Sequence, residues 1–253
     1  MTGLVGGKIT KKNWNGKLFR YFLLSYKAKV VSLQTKCGYR VWTSVCFGEM
    51  ATPYRDLKTF SDVLRDLEQC GFIRKYMAIG KKSRSAFYQL MDNYSLFYLN
   101  FVKANSENDE HFWTNSIDTP LRNSWSGIAF ERLCLWHVTQ IKAALGISGV
   151  NSSVYSWRTE ATEEHDGAQI DLLIDRRDGV INLCEMKYAD DTYALDAEEE
   201  KKLRNRLTAF KLDTKTRKGI HTTLVTTYGI RRNSHSGMIQ SVVTMDSLFA
   251  IPA

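Results

Sequence analysis

Residues 169–174 read Gln169-Ile170-Asp171-Leu172-Leu173-Ile174, and residues 183–188 read Leu183-Cys184-Glu185-Met186-Lys187-Tyr188. Each is an apolar run of strand length broken by charge. The first carries one carboxylate; the second carries a carboxylate and an ammonium two residues apart. Strand side chains alternate between faces, so Glu185 and Lys187 share one. Between the runs lies Arg177-Asp178-Gly179. A three-residue hairpin loop with Gly179 in the left-handed position pairs Arg176 with Val180. Paired positions then sum to 356, which sets Asp171 directly opposite Glu185. Directly opposed residues have Cβ atoms about 4.5–5.5 Å apart. Two carboxylates that close, in an apolar setting, repel unless a cation or a proton lies between them. A hard divalent ion with oxygen ligands, Mg²⁺ or Mn²⁺, is the natural occupant. Lys187 is then placed to orient a water or to stabilise phosphorane-like charge.

Working outward, a third carboxylate comes from a helix expected over Ser126 to Leu145 and ended by Gly146. Ile128, Leu135 and Val138 form its apolar stripe, and Glu131 lies within that stripe. An acid on a buried stripe is costly unless it is paired or ligating. A strand follows at Val154 to Thr159, then the hairpin. Asp196 is expected to cap a helix, with Glu199 as its capping-box partner and Leu203, Leu207 and Phe210 as its apolar stripe. Short strands are expected at Thr222 to Thr227 and Val242 to Met245. The order from Pro120 onward is therefore α-β-β-β-α-β-β. Upstream, Phe60, Val63, Leu64 and Leu67 recur at helical spacing, and Gly71 stops that helix. Phe72 to Ile79 and Ala86 to Met91 read as a two-stranded wing about the basic tip Lys81-Lys82-Ser83-Arg84. Asp92 is expected to cap a further helix through Leu96, Leu99 and Val102. Asn105 to Asp118 reads as a polar linker.

The net charge of +8 over 253 residues is unevenly spread. Residues 1–58 carry 11 Lys+Arg against two Asp+Glu, whereas residues 106–253 carry 17 against 21. Any electrostatic footprint for nucleic acid thus belongs to the first hundred residues. The wing tip, Lys81, Lys82 and Arg84, is a candidate phosphate contact. The helix before it carries Asp62, Asp66 and Glu68 against Arg65 alone, the wrong sign for a major groove, so base readout is not expected of it. Five scattered cysteines with no CxxC pair argue against a disulfide framework or zinc ribbon and fit a reducing, cytoplasmic setting. The longest apolar stretches, such as Tyr94 to Val102, are far shorter than the ~20 residues of a membrane span. No signal peptide or phosphate-binding loop is expected: Gly3 to Lys8 lacks the spacing and the preceding strand. Residues 1–55 stay unassigned, a basic segment without periodicity. Domains are accordingly expected at 56–104 (winged-helix-like), 105–119 (linker) and 120–253.

Asp171…Glu185-Met186-Lys187 after the Glu131 helix resembles the PD-(D/E)xK nuclease superfamily, although Ile170 stands where that name has Pro. Asp66 to Arg74, Phe112 to Asp118 and Gly167 to Asp175 look like the C-terminal half of bacterial and archaeal AAA-type ATPases. That resemblance implies an α+β chain: a partial winged helix followed by a restriction-endonuclease-like αβββαβ domain. It implies Asp171 and Glu185 as metal ligands and Lys187 and Glu131 as their catalytic companions. No P-loop is present, so ATP binding is carried to no residue here. The expected function is a Mg²⁺-dependent nuclease acting on nucleic acid, DNA foremost, as a truncated relative of an ATPase–nuclease fusion. The alternative is a non-cleaving regulatory or interaction module with an ATPase or other protein as partner.

Overall fold

The computed structural model describes residues 45–46, 57–80, 87–102, 109–117 and 119–251. The basic segment 1–55, apart from 45–46, and the wing-tip residues Lys81, Lys82 and Arg84 lie outside the described residues.

Two sheets carry the α+β architecture. The smaller has the order β1 (Val45–Cys46), β3 (Phe87–Leu90), β2 (Ile73–Tyr76), all antiparallel. Helix α1 (Leu57–Gln69) covers it with Leu64 and Leu67, which are buried against Ile73, Leu90 and Leu96. The stop at Gly71 comes from backbone chemistry. Gly71 takes φ +74°, its N–H donates to the Glu68 carbonyl, and the Phe72 N–H donates to the Leu67 carbonyl. Those are the two bonds of a Schellman cap, which satisfy carbonyls the helix leaves orphaned. Helix α2 (Asn93–Phe97) starts where expected: the Asp92 carboxylate accepts from the Ser95 N–H at 3.0 Å. It continues as a π-helical turn, Tyr98–Val102.

The larger sheet has five strands in the order β4 (Ser152–Thr159), β5 (Ala168–Arg176), β6 (Val180–Lys187), β7 (Gly219–Thr226), β8 (Ser241–Thr244). β4, β5 and β6 are antiparallel; β6, β7 and β8 are parallel. Helices α3 (Pro120–Trp136) and α4 (Val138–Ala144) cover one face, burying Phe130, Cys134 and Ile141 on Leu172, Ile174, Cys184 and Val225. Helix α5 (Ala197–Thr214) covers the other, burying Leu203 and Phe210 on Leu173, Leu183 and Leu224. Consecutive residues of one strand thus serve opposite cores, which is why these strands read as nearly continuous apolar runs. A short helix α6 (Met245–Leu248) ends the described fold.

The single helix expected over Ser126 to Leu145 is two helices. α3 begins earlier, at Pro120, because Thr119 accepts from the Arg122 N–H and proline suits the first helical position. It ends at His137, whose backbone turns out of the helix at φ −109° and ψ 30° and whose Nδ1 meets the Leu133 carbonyl at 2.7 Å.

The two sheets are joined directly. The Ile79 N–H donates to the Ser156 carbonyl and the Ser156 N–H donates to the Met77 carbonyl, a parallel bridge from the end of β2 to β4. Fully buried Arg132 on α3 donates through Nε to the Leu90 carbonyl of β3 at 3.0 Å. Trp113 packs edge-on against Phe97 and Phe101, and Trp125 of α3 joins them. Among the described residues no helix is long and apolar enough to cross a membrane.

Candidate functional site

The β5–β6 hairpin has the register that its turn dictates. Gly179 takes φ +86°, and the pairs Asp175–Ile181, Ile174–Asn182, Leu173–Leu183 and Leu172–Cys184 all sum to 356. The ladder then stops, one pair before Asp171 and Glu185 would meet. Beyond that point β5 stays with β4 as far as Ala168–Thr159, and β6 stays with β7 as far as Lys187–Thr226. The strands therefore part and leave a notch, with Asp171 on one rim and Glu185 and Lys187 on the other. A bulge contributes. Tyr155 pairs with Leu173 but Trp157 pairs with Ile170, so two residues of β5, Asp171 and Leu172, stand against Ser156 alone. Bulges bend a strand and re-aim its side chains.

Each rim is held by its own contacts. Asp171 is half-buried and its carboxylate accepts a short hydrogen bond from the Gln169 side-chain amide. The Glu185 carboxylate lies 2.7 Å from Arg206 Nη1 on α5 and 3.5 Å from Lys187 Nζ. Lys187 Nζ is also 2.7 Å from Glu199, itself 3.4 Å from Lys202. Burial alone would raise the Glu199 pKa, but the hydrogen bond and charge of Lys187, with Lys202, outweigh it and hold it below the ordinary value. Glu199 was expected to close a capping box. Asp196 does accept from the Glu199 N–H at 2.8 Å, while the Glu199 carboxylate is engaged by Lys187.

Glu131 reaches this region from α3. Its pKa is pushed up from 4.5 to about 7, by burial first and then by the negative charge of Asp171, with Glu185 adding to it; Arg132 and Arg74 oppose the rise. Arg74, on β2 of the smaller sheet, stacks over Tyr76 and donates through Nε to Gln89 at 2.8 Å. Burial lowers its pKa, against the pull of Tyr76, Asp171 and Glu131. Four of the residues named from sequence, Glu131, Asp171, Glu185 and Lys187, thus converge on one end of the larger sheet. The chain matches no protein-family model, no curated protein and no solved structure. Among the described residues, no three His, Cys, Asp or Glu side chains stand arranged around a common metal position. Glu185 is turned toward Arg206.

Sequence reading singles out neither Arg206, Gln169 nor Arg74 for the site, and Glu199 only as a capping-box partner. Arg206 and Glu199 carry a usable signal for the site. Glu199 lies four residues before Leu203, and Arg206 lies three after Leu203 and four before Phe210. Both are charged residues on an apolar stripe, as Glu131 is. Gln169 shares a strand face with Asp171 by spacing alone, a weak signal. Arg74 carried none, since its approach depends on how the two sheets dock. The histidines stay apart: His137 bonds the Leu133 carbonyl, and His235 Nδ1 sits 2.7 Å from Glu200. Glu163, Glu164 and Asp166 are exposed in their loop.

Proposed function

We propose that the chain is a divalent-metal-dependent phosphodiesterase acting on nucleic acid, DNA foremost, with a winged-helix-like module mounted on a restriction-endonuclease-like domain. The observation that carries this reading is the opening of the β5–β6 ladder at Asp171 and Glu185, with Glu131 brought to the same place. The donor set fits a hard cation. It consists of carboxylates, and the like charge that helps lift Glu131 to about 7 is the charge a divalent ion would neutralise. Asp171 and Glu185 would hold the ion, with Glu185 exchanging its pairing with Arg206 for the metal. When bound, the ion supplies Lewis-acid polarisation and a more acidic water. Lys187, tethered by Glu199, holds its ammonium at the rim of the notch, where it orients a water and offsets developing negative charge. Glu131 takes up or releases a proton at its carboxyl near pH 7 and so tunes the charge of the site.

A second reading is a non-cleaving regulatory or interaction module. The pairing of Glu185 with both Arg206 and Lys187 favours it, since that carboxylate is satisfied by the chain's own cations. So does the excess of 21 Asp+Glu over 17 Lys+Arg in residues 106–253.

Nicking of supercoiled plasmid by the purified chain with Mg²⁺ or Mn²⁺ tests the first reading. Cleavage that disappears with EDTA and in Glu185→Ala is expected. A parent protein that is stabilised by Mn²⁺ yet cuts neither DNA nor RNA supports the second reading instead.

A further inference from the structure

Ser156 is the residue of β4 that stands opposite the bulge at Asp171 and Leu172. It is also the residue through which the smaller sheet is tied to the larger. Its carbonyl accepts from the Ile79 N–H at 3.0 Å, and its N–H donates to the Met77 carbonyl at 3.2 Å. The end of β2 is thereby fixed beside the stretch of sheet that aims Asp171. Arg74 lies earlier on the same strand. Two contacts within the smaller sheet hold its side chain. Nε donates to Oε1 of buried Gln89 at 2.8 Å, and the guanidinium lies 4.8 Å from the centre of the Tyr76 ring. Held so, its positive charge acts on both Asp171 and Glu131.

Arg74 does this without touching either carboxylate. Among the described residues it takes part in no ion pair, and no hydrogen bond or ion pair reaches the Glu131 carboxyl. Glu185 is the contrast, with Arg206 at 2.7 Å and Lys187 at 3.5 Å from its oxygens. A cation in contact takes up lone pairs that a metal would use. One held back offsets the like charge of two carboxylates and leaves their oxygens open to a further ligand. Arg132 also opposes the charge on Glu131, but it donates through Nε and Nη1 to the Leu90 and Ile128 carbonyls.

We propose that Arg74 is a positioning residue of the carboxylate site. It is a counter-ion supplied by the smaller sheet, which keeps Asp171 and Glu131 together while no metal is bound and whose charge sets how tightly they take a divalent cation. The second part rests on the phosphodiesterase reading; the first does not. Like charges compete, so the guanidinium weakens cation binding at the carboxylates it steadies. The winged-helix-like module then belongs to the charge balance of the site.

The test has two arms, both on the full chain. The first is a double-mutant cycle by urea denaturation in EDTA at pH 8. Arg74→Gln is made in the parent and in a background carrying Asp171→Asn and Glu131→Gln. It should raise the unfolded-to-folded ratio at least ~5-fold more in the parent than in the uncharged background. Arg74→Lys loses the Gln89 bond but keeps the charge, and should cost the same in both backgrounds. Where Arg74→Gln folds in neither, Gln89→Met, which unties the guanidinium, takes its place with the same expectation. An equal cost of Arg74→Gln in the two backgrounds marks a merely structural arginine and overturns the proposal. The second arm is calorimetric titration with Mn²⁺, in which Arg74→Gln should bind at least ~3-fold tighter than the parent and Arg74→Lys like the parent. Equal or weaker binding by Arg74→Gln overturns the charge-setting part. No Mn²⁺ binding by any of the three overturns that part together with the phosphodiesterase reading, and the cycle in EDTA then decides the counter-ion alone. Failure of plasmid nicking by a protein that binds Mn²⁺ bears only on the phosphodiesterase reading.

Discussion

Glu131 on α3 and Asp171 on β5 lie close enough that the charge of Asp171 adds to burial in raising the Glu131 pKa to about 7. The sign of the consequence follows. A carboxyl whose folded pKa is raised binds its proton more tightly when folded. Its stabilising contribution is complete below the unfolded value of 4.5 and is lost as pH rises through about 7. Glu131→Gln should remove that component. Between pH 4.5 and 8, the parent should lose on the order of 3 kcal/mol relative to the variant in urea denaturation. Parallel stability curves for the two proteins would show that Glu131 does not carry the shift.

Arg206 and Glu185 form a pair in which each side chain keeps 17% of its surface exposed. Arg206→Ala removes the nearer cation of Glu185 and should lower the metal-free stability by about 1–3 kcal/mol. Under the phosphodiesterase reading, Mn²⁺ should stabilise Arg206→Ala more than the parent, because Glu185 no longer has to leave an arginine. Asp171→Ala and Glu185→Ala should lose the Mn²⁺ response. If Mn²⁺ leaves the thermal midpoint of every one of these proteins unchanged, the carboxylates hold no metal.

Lys187 is not a metal ligand, so its removal separates chemistry from binding. Lys187→Ala should abolish cleavage by about 10²–10³-fold while leaving stabilisation by Mn²⁺ intact. Glu199→Gln leaves the ammonium in place but weakens its 2.7 Å tether. A smaller loss of rate is expected there, together with an altered pH profile for nicking. Full activity in Lys187→Ala would remove it from the mechanism.

Gly71 and Gly146 form an internal comparison. Both sit in the left-handed region, at φ +74° and +69°. An added Cβ at Gly71 would lie 3.1 Å from Trp136 Cη2, whereas at Gly146 it would meet nothing within 4 Å. Gly146→Ala should therefore cost only the backbone strain, about 1 kcal/mol. Gly71→Ala should cost more, unless the half-exposed Trp136 ring swings away. Chemical denaturation midpoints of the two variants decide the order.

The features legible along the chain are local ones. The Gly71 and Asp92 caps, the Asp196 cap and the Gly179 turn each depend on residues within a few positions of one another, so chain order alone indicates them. The β5–β6 register follows from that turn and from the two-residue alternation of strands, so the neighbourhood of Asp171, Glu185 and Lys187 was legible too. Glu131 was legible as a charge on an apolar stripe. The rest depends on contacts between segments distant in the chain. A two-residue strand such as Val45–Cys46 has no signature of its own and exists only because β3 offers Tyr88 and Phe87. The break at His137 turns on one side chain reaching back to the Leu133 carbonyl. The bulge at Asp171 and Leu172 needs Ser156 opposite, and the ladder opens only because β5 follows β4 while β6 follows β7. Arg206 meets Glu185, and Arg74 comes near Asp171, through packing between segments far apart in the chain. Burial and charge act through space, so the raised pKa of Glu131 is set by neighbours that sequence order does not reveal.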